Sequence, residues 1–497
     1  MENAALFLHG FSIAISPLNI LAAFVGACLG LIVGAMPGIG SLSGCALLLP
    51  LTFRMNPTAA IIMLAGIYYG NMYGGAFSAI LLNIPGDSPA IMTALDGYPM
   101  TQQGRAGKAL FAANLASFIG GTIGIILLTV MGPLLAFIGL KFGPAEMVSL
   151  LLLALSSIGW MLGEDPKGGL ISTTLGILLA TVGMDPTTGR GRFTFDSIHL
   201  LTGIEFIPLV IGMFGFSQVI EIVINRQDFS FLGGTKITIK ESLLSKNEVK
   251  AIIPVALRGG ILGTFVGILP GAGATIASFI SYMFNRRVCK NGDSFGTGVV
   301  EGVAASEAAN NAAAAGAFAP LLSLGIPGSG TTAVLLGGLL LWGLKPGPLL
   351  FVQEPDFVWS LISSMYIGNL ICIAVAVAII PFLVHLLRIP SGVMAPIIMT
   401  LCIVGSYSVN GNMFDVCVML AFGTFAYFFQ AFKYPLAPFL LSFVLTPRLE
   451  TSFTQAFQIS HGSISIFFKS PISLFFLACF VAMVSVPLLK KYVFHRQ

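Results

Sequence analysis

Gly34-Ala-Met-Pro-Gly-Ile-Gly40 and Gly267-Ile-Leu-Pro-Gly-Ala-Gly273 are one interruption written twice into apolar sequence. A second pair follows in the same order, Ile84-Pro-Gly-Asp-Ser-Pro89 and Ile326-Pro-Gly-Ser-Gly-Thr331. The first pair stands 233 positions apart and the second 242, so the second half carries a short insertion, placed around Arg286, Arg287 and Lys290. Weaker likeness continues from Lys141-Phe-Gly-Pro144 to Arg388-Ile-Pro-Ser391. Two Pro-Gly signatures repeated in order at nearly constant spacing mark a duplication. In an apolar chain, matched interruptions of two halves are the pattern of broken helices built around a ligand site; the alternative is a duplication kept for packing alone.

Composition sets the medium. Hydrophobic residues make up 56% of the 497 and charged residues 9%, against about 25% charge in an ordinary soluble domain. This excludes a soluble enzyme, a nucleic-acid binder and a disordered chain, and predicts an all-α polytopic membrane protein of about 10–12 spans at roughly 20 residues each. Spans are expected near 18–36, 57–83, 108–139, 145–163, 168–184, 203–225, 259–281, 303–325, 358–386, 392–410, 413–430 and 470–489. Apolar pieces at 41–53, 90–95, 329–341 and 436–446 are too short to span and read as re-entrant or broken helices, a backbone tolerated at membrane depth only inside protein or along a cavity. The polar stretch 226–258 separates an N-terminal membrane repeat, 1–225, from a C-terminal one, 259–497. Its Arg226, Lys236, Lys240, Lys246, Lys250 and Arg258 place it in the cytoplasm, with Lys490, Lys491 and Arg496 of the tail. Residues 1–10 carry no Lys or Arg and are placed outside, so the two repeats are expected to be inverted.

A Pro-Gly pair breaks the hydrogen-bond ladder of a helix. Carbonyls are freed at one half-helix end, where they can hold a cation, and N–H groups at the start of the next, where they attract an anion. The candidate site residues follow: Pro37, Gly38, Gly40 and Ser41, with Ser43, at one break; Asn83, Pro85, Gly86, Asp87 and Ser88 at the next. The second half supplies Pro270, Gly271, Gly273 and Thr275, with Ser278, and then Pro327, Gly328, Ser329, Gly330, Thr331 and Thr332. Glu307-Ala-Ala-Asn-Asn311 puts two adjacent amides into an Ala-rich apolar segment; Asn310 and Asn311 either line the site or bond neighbouring helices. A Na⁺ ion is assigned to Gly38, Gly271, Asn310, Ser329 and Thr332. Tyr68, Tyr69 and Tyr73 are interface anchors or a pocket wall, and Asp96 is read as a surface-loop residue. The chain has no G-x-x-x-x-G-K-[ST], no H-E-x-x-H and no His or Cys grouping at metal-ligand spacing, so neither ATP-driven work, zinc proteolysis nor any resident cofactor is expected, and the chain is read as no enzyme.

These residues resemble the large membrane subunit of the tripartite tricarboxylate transporter family. The likeness covers nearly the whole chain and is strongest at Val33–Gly40, Asn83–Asp87 with Ala90–Met100, Val266–Ser278, Gly302–Asn311 and Gly325–Ala333. It implies a bacterial inner-membrane secondary importer of di- or tricarboxylates such as citrate, symporting Na⁺ or H⁺ by alternating access. It implies two partners, a periplasmic solute-binding protein and a small membrane subunit of about four spans. A passive anion channel and a non-transporting scaffold subunit are the alternatives. The motif cores hold no Arg or Lys, so backbone dipoles, hydroxyls, amides and a bound cation must recognise the anion.

Overall fold

The computed structural model describes residues 2–36, 39–161, 166–185, 188–225, 238–271, 273–382 and 391–494. Helices dominate; among the described residues the β-structure is one antiparallel pair, β1 (Gly183–Met184) and β2 (Gly191–Arg192). The helices of the first half are α1 (Glu2–Ala14), α2 (Pro17–Ala35), α3 (Ser41–Leu48), α4 (Pro57–Leu82), α5 (Ile91–Gln102), α6 (Ala106–Gly139), α7 (Pro144–Met161), α8 (Pro166–Ala180), α9 (Phe206–Val210) and α10 (Ser217–Asn225). A π-helical stretch, Ile211–Phe216, joins the last two. Then come α11 (Ile239–Ser242), α12 (Lys246–Ile268), α13 (Gly273–Val288), α14 (Val300–Gly316), α15 (Phe318–Leu324), α16 (Gly330–Leu341), α17 (Leu350–Gln353) and α18 (Pro355–Ile379). The chain closes with α19 (Ser391–Asn410), α20 (Met413–Ala431), α21 (Leu436–Ile459), α22 (Ile466–Lys469) and α23 (Pro471–Phe494).

Two compact units share these elements, and each draws on both halves. The larger comprises Met1–Ala136 and Ile207–Tyr427, the smaller Phe137–Phe206 and Phe428–Gln497. The smaller packs α21 and α23 against α7, and α21 also against α8. Ala145, Val148, Ala456 and Phe467 form one of its cores. Arg192 ties its β-pair to Glu450 of α21 and lies 3.7 Å from Asp185.

In the larger unit the duplication reappears as contacts. A Cβ placed on Gly34 of α2 would strike the backbone of Asn71 in α4, and one on Gly267 of α12 would strike the backbone of Ala313 in α14. Gly34 and Gly267 are 233 positions apart and Asn71 and Ala313 are 242 apart, the offsets of the two motifs. The rule holds a turn earlier, where Gly30 meets Ile67 and Gly263 meets Ala309. Helices that touch through such small residues approach closely enough for backbone packing to hold them in lipid. Their outer faces are apolar: Phe24 of α2 is 47% exposed, and Phe265 of α12 is 52% exposed. Apolar side chains outside and glycines inside are what a helix bundle needs when its solvent is hydrocarbon.

Six helical segments among the described residues are long and apolar enough to cross a membrane, namely Pro17–Ala35, Ala106–Gly139, Phe206–Ile224, Lys246–Ile268, Pro355–Phe382 and Met413–Ala431. Ten to twelve were expected. Part of the difference is physical. The run 259–281 is not one helix, because Leu269–Gly271 part α12 from α13, and 303–325 divides at Ala317 into α14 and α15. Helix α4 has 26 residues, yet protein encloses almost all of it, so it can carry Tyr, Asn and Gly in place of lipid-facing Leu. The piece 436–446, read as too short, is the start of the 24-residue α21, which runs on through Pro447.

Candidate functional site

The second break of each half is set by the residue that ends the preceding helix. Asn83 closes α4 at φ 59°, and Gly325 closes α15 at φ 66°. These two positions are again 242 apart. Left-handed backbone suits Gly best and Asn next. The chain then folds its Pro-Gly against the neighbouring helix. A Cβ on Gly86 would collide with the Gly34 carbonyl oxygen; one on Gly328 would lie 2.7 Å from that of Gly267. Both glycines are buried, and Gly86 N–H donates to the Gly75 carbonyl at 3.3 Å. Gly271 N–H donates to the Gly328 carbonyl at 3.1 Å, so the two breaks of the second half bond each other directly.

In the first half a side chain joins the breaks. Asp87 accepts from Ser41 N–H through Oδ2 and from Ser88 N–H through Oδ1, both at 2.8 Å. The carboxylate therefore sits at the N-terminus of α3, where the helix dipole favours it. The residue 242 positions on is Ser329, which is neutral. Its hydroxyl caps α16 instead, accepting from Thr332 N–H at 3.2 Å, while Ser329 N–H donates to Thr332 Oγ1 at 2.8 Å.

The halves then cross. Ser41 Oγ, after the first break of the first half, lies 2.9 Å from Thr331 Oγ1, after the second break of the second. Reciprocally, α13, which follows the first break of the second half, packs against the turn Ser88–Ala90 of the first. Four interruptions thus meet around one region of the larger unit. Tyr68 and Tyr69 wall it: both are buried, both lie 6.1 Å from the Phe318 ring, and Tyr68 Oη is 3.3 Å from Ser329 Oγ. Buried among protein groups, Tyr68 and Tyr69 do not sit as membrane-interface anchors.

Not every expected residue is gathered there. Pro37 and Gly38 lie outside the described residues. Ser43 is buried and Gly40 borders the Asp87 carboxylate. Asn83 and Ser88 are exposed, and so is Thr275; the hydroxyl of α13 that turns inward is Ser278, donating to the Ser306 carbonyl at 3.1 Å. Pro85 and Pro270 are half-buried, Gly273 and Gly330 half-buried, Pro327 and Thr332 buried. Asn310 donates to the Met72 carbonyl at 3.4 Å and Asn311 to the Glu307 carbonyl at 3.2 Å.

Two carboxyl groups stand where the sequence reading had not placed them. Asp96 is no loop residue. It is fully buried in α5, its Oδ1 accepting from the N–H groups of Gly296, Gly298 and Val299 at 2.9, 2.9 and 3.0 Å and its Oδ2 from Tyr282 Oη at 2.8 Å. It thereby fixes the approach to α14. Glu307, in the middle of α14, is fully buried beside the site and is bonded by the hydroxyls of Thr93 and Ser117. A carboxyl in an Ala-rich membrane segment was visible in the sequence; its partners, 214 and 190 positions away, were not.

Comparison with known proteins identifies the family. The profile of the Tripartite tricarboxylate transporter TctA family matches residues 20–441. The chain is 42% identical over 485 residues to an "Uncharacterized 52.8 kDa protein in TAR-I ttuC' 3'region" of Agrobacterium vitis, covering 97% of this chain and 95% of that one. It is 40% identical over 211 residues to an "Uncharacterized protein in TAR-II ttuC' 3'region" of the same organism, covering 42% of this chain and 87% of that one. No solved structure matches. The chain is a multi-pass membrane protein that belongs to the tripartite tricarboxylate transporter TctA family, a family of transporters and not of enzymes.

Proposed function

We propose that this chain is the large membrane subunit of a secondary importer of di- and tricarboxylates such as citrate, seated in a bacterial inner membrane and driven by a cation gradient. A periplasmic solute-binding protein delivers the substrate, and a small membrane subunit of about four spans completes the complex. The observation that carries this reading is the crossing of the four breaks, Ser41 against Thr331 and α13 against Ser88–Ala90.

Facing half-helix ends concentrate N–H groups and carbonyls where a dehydrated anion and its coupling cation can both be held. The N-terminus of α3 already holds a carboxylate, Asp87. The matching residue of the second half, Ser329, leaves that role to a carboxylate of the substrate, with Ser329, Thr331 and Thr332 hydroxyls around it. Alternating access follows if the two halves are inverted, because the contacts that close one side are then repeated, exchanged, on the other. Recognition of this kind needs no Arg or Lys in the motif cores.

The test is radiolabelled citrate uptake into proteoliposomes holding this chain, its small partner and the binding protein, under imposed Na⁺ or proton gradients. Concentrative uptake is expected, which a passive channel cannot perform without an electrical gradient acting on the substrate. Thr331→Ala and Asn310→Ala should each lower uptake about 10- to 100-fold, the value of a hydrogen bond to a charged group, with assembly intact. Unchanged uptake in both variants would refute the site.

A further inference from the structure

Glu307 is 0% exposed in α14. Among the described residues no Lys, Arg or His pairs with it. Several titratable groups on the helices around α14 have side-chain partners of their own, and Tyr73 is also near enough to Glu307 to interact with it electrostatically. Arg258 of α12 donates to Cys289 Sγ at 3.4 Å, Tyr282 of α13 and Asp96 of α5 bond each other, and Tyr73 of α4 donates to Asn369 at 2.7 Å. Lys108 of α6 and Glu248 of α12 pair at 3.1 Å. A carboxylate buried in this way is costly unless a positive charge joins it.

The groups that do face Glu307 are neutral and bear oxygen. Thr93 Oγ1 donates to Oε1 and Ser117 Oγ to Oε2, the latter at 3.2 Å; Ser306 Oγ lies 2.9 Å from Thr93 Oγ1. Asn310, one turn further along α14, hydrogen-bonds the carboxylate through its side-chain amide N–H. It is 2% exposed, and its Oδ1 is buried with no hydrogen-bond donor. The set therefore combines one negative charge, two hydroxyls with a third, Ser306, behind Thr93, and an orphaned amide oxygen. It holds no thiolate or imidazole, which disfavours transition metals, and its single charge underpays a divalent ion.

From this geometry we infer that Glu307, Thr93, Ser117 and Asn310 form a Na⁺ site. The hydroxyls turn their lone pairs to the ion, the Asn310 amide turns over so that Oδ1 gains the partner it lacks, and the ion neutralises the carboxylate. The site draws on both halves: Thr93 follows the second break of the first half on α5, and Glu307 and Asn310 lie on α14 of the second. Binding of the ion fixes the relation of those helices beside the place where the breaks meet. The inference rests on the cation-coupled reading above and moves the cation from the half-helix ends to Glu307 and its neighbours, keeping only Asn310 of the residues assigned to Na⁺ from the sequence.

It is tested on the full-length chain purified in detergent, by equilibrium binding of ²²Na⁺ at pH 8. Wild type should bind saturably. Glu307→Gln should weaken binding by at least about 100-fold, more than the 10- to 100-fold typical of a group that only supports a ligand. Asn310→Ala and Ser117→Ala should weaken it severalfold, and they decide the matter if Glu307→Gln does not elute as a single species. Absence of Na⁺ binding by wild type, or wild-type affinity in these variants, would overturn the site. Citrate uptake separates the two readings. Na⁺ binding by a chain whose complex transports no carboxylate would sink the importer and leave the site standing. Uptake with unaltered Na⁺ binding in Glu307→Gln would sink the site alone.

Discussion

Ser329→Asp is expected to stop carboxylate uptake while leaving the chain folded. The first half carries a carboxylate at the matching sequence position. Asp87, the residue 242 positions earlier, accepts from Ser41 and Ser88 N–H groups at 2.8 Å and occupies the N-terminus of α3. Aspartate is as good a helix N-cap as serine, so the cap of α16 survives the change. What changes is charge. A carboxylate fixed at the second-half position would stand where the substrate's own carboxylate is proposed to bind, and juxtaposed like charges cost several kcal/mol. A fall of about 100-fold or more in initial uptake rate is the expected result. Ser329→Ala, which removes the cap without adding charge, should fall much less. Equal rates in Ser329→Asp and wild type would show that no anion visits this end of α16.

The largest effect on folding is expected at Asp96. Its fully buried carboxylate receives three backbone N–H groups and one phenol, of which those of Gly298 and Tyr282 are buried. Asp96→Ala strands those donors, each costing about 1–3 kcal/mol when buried and unpaired. Donors that share one acceptor do not add fully, and a total of about 3–5 kcal/mol is expected, in the tail reserved for broken buried networks. Asp96→Asn keeps one acceptor oxygen and should fall between. The α14 helix leaves no room for relaxation, since a Cβ on Gly302 would strike the Asp96 carboxylate. The check is the thermal unfolding midpoint in detergent together with the fraction eluting as a single species. An unchanged midpoint in Asp96→Ala would contradict the assignment of Asp96 as the clamp on the loop before α14.

The Pro-Gly motifs were legible because their chemistry is local: proline and glycine act on their own backbone wherever they stand. Their offsets proved to be offsets of three-dimensional contacts, since Gly34 with Asn71 and Gly267 with Ala313 repeat them. What hydropathy alone misread was continuity. The run 259–281 is apolar on both sides of Pro270, so its average conceals the break between α12 and α13. The run after 436 has the opposite character. Pro447, Arg448 and Glu450 dilute its hydropathy, yet the helix continues and Glu450 finds Arg192, 258 positions earlier.

Helix phase was a second limit. Thr275 and Ser278 both follow the break and stand roughly 60° apart around the helix, and of the two only Ser278 turns inward. The burial of Asp96 and the bonding of Glu307 were beyond reach for a third reason. Their environments are made by partners about 200 positions away, among them plain backbone N–H groups and single hydroxyls that carry no motif.

The central claim is that the crossing of the four breaks is the transport site and must open for each cycle. It is tested most directly by joining two of them. Ser41 and Thr331 have hydroxyl oxygens 2.9 Å apart, so the double variant Ser41→Cys with Thr331→Cys brings two thiols within reach of a disulfide. Citrate uptake by the reconstituted complex is measured before oxidation, after it and after reduction. The account predicts that uptake disappears when the bond forms and returns when it is reduced. Uptake that continues at the same rate with the cross-link intact would contradict it.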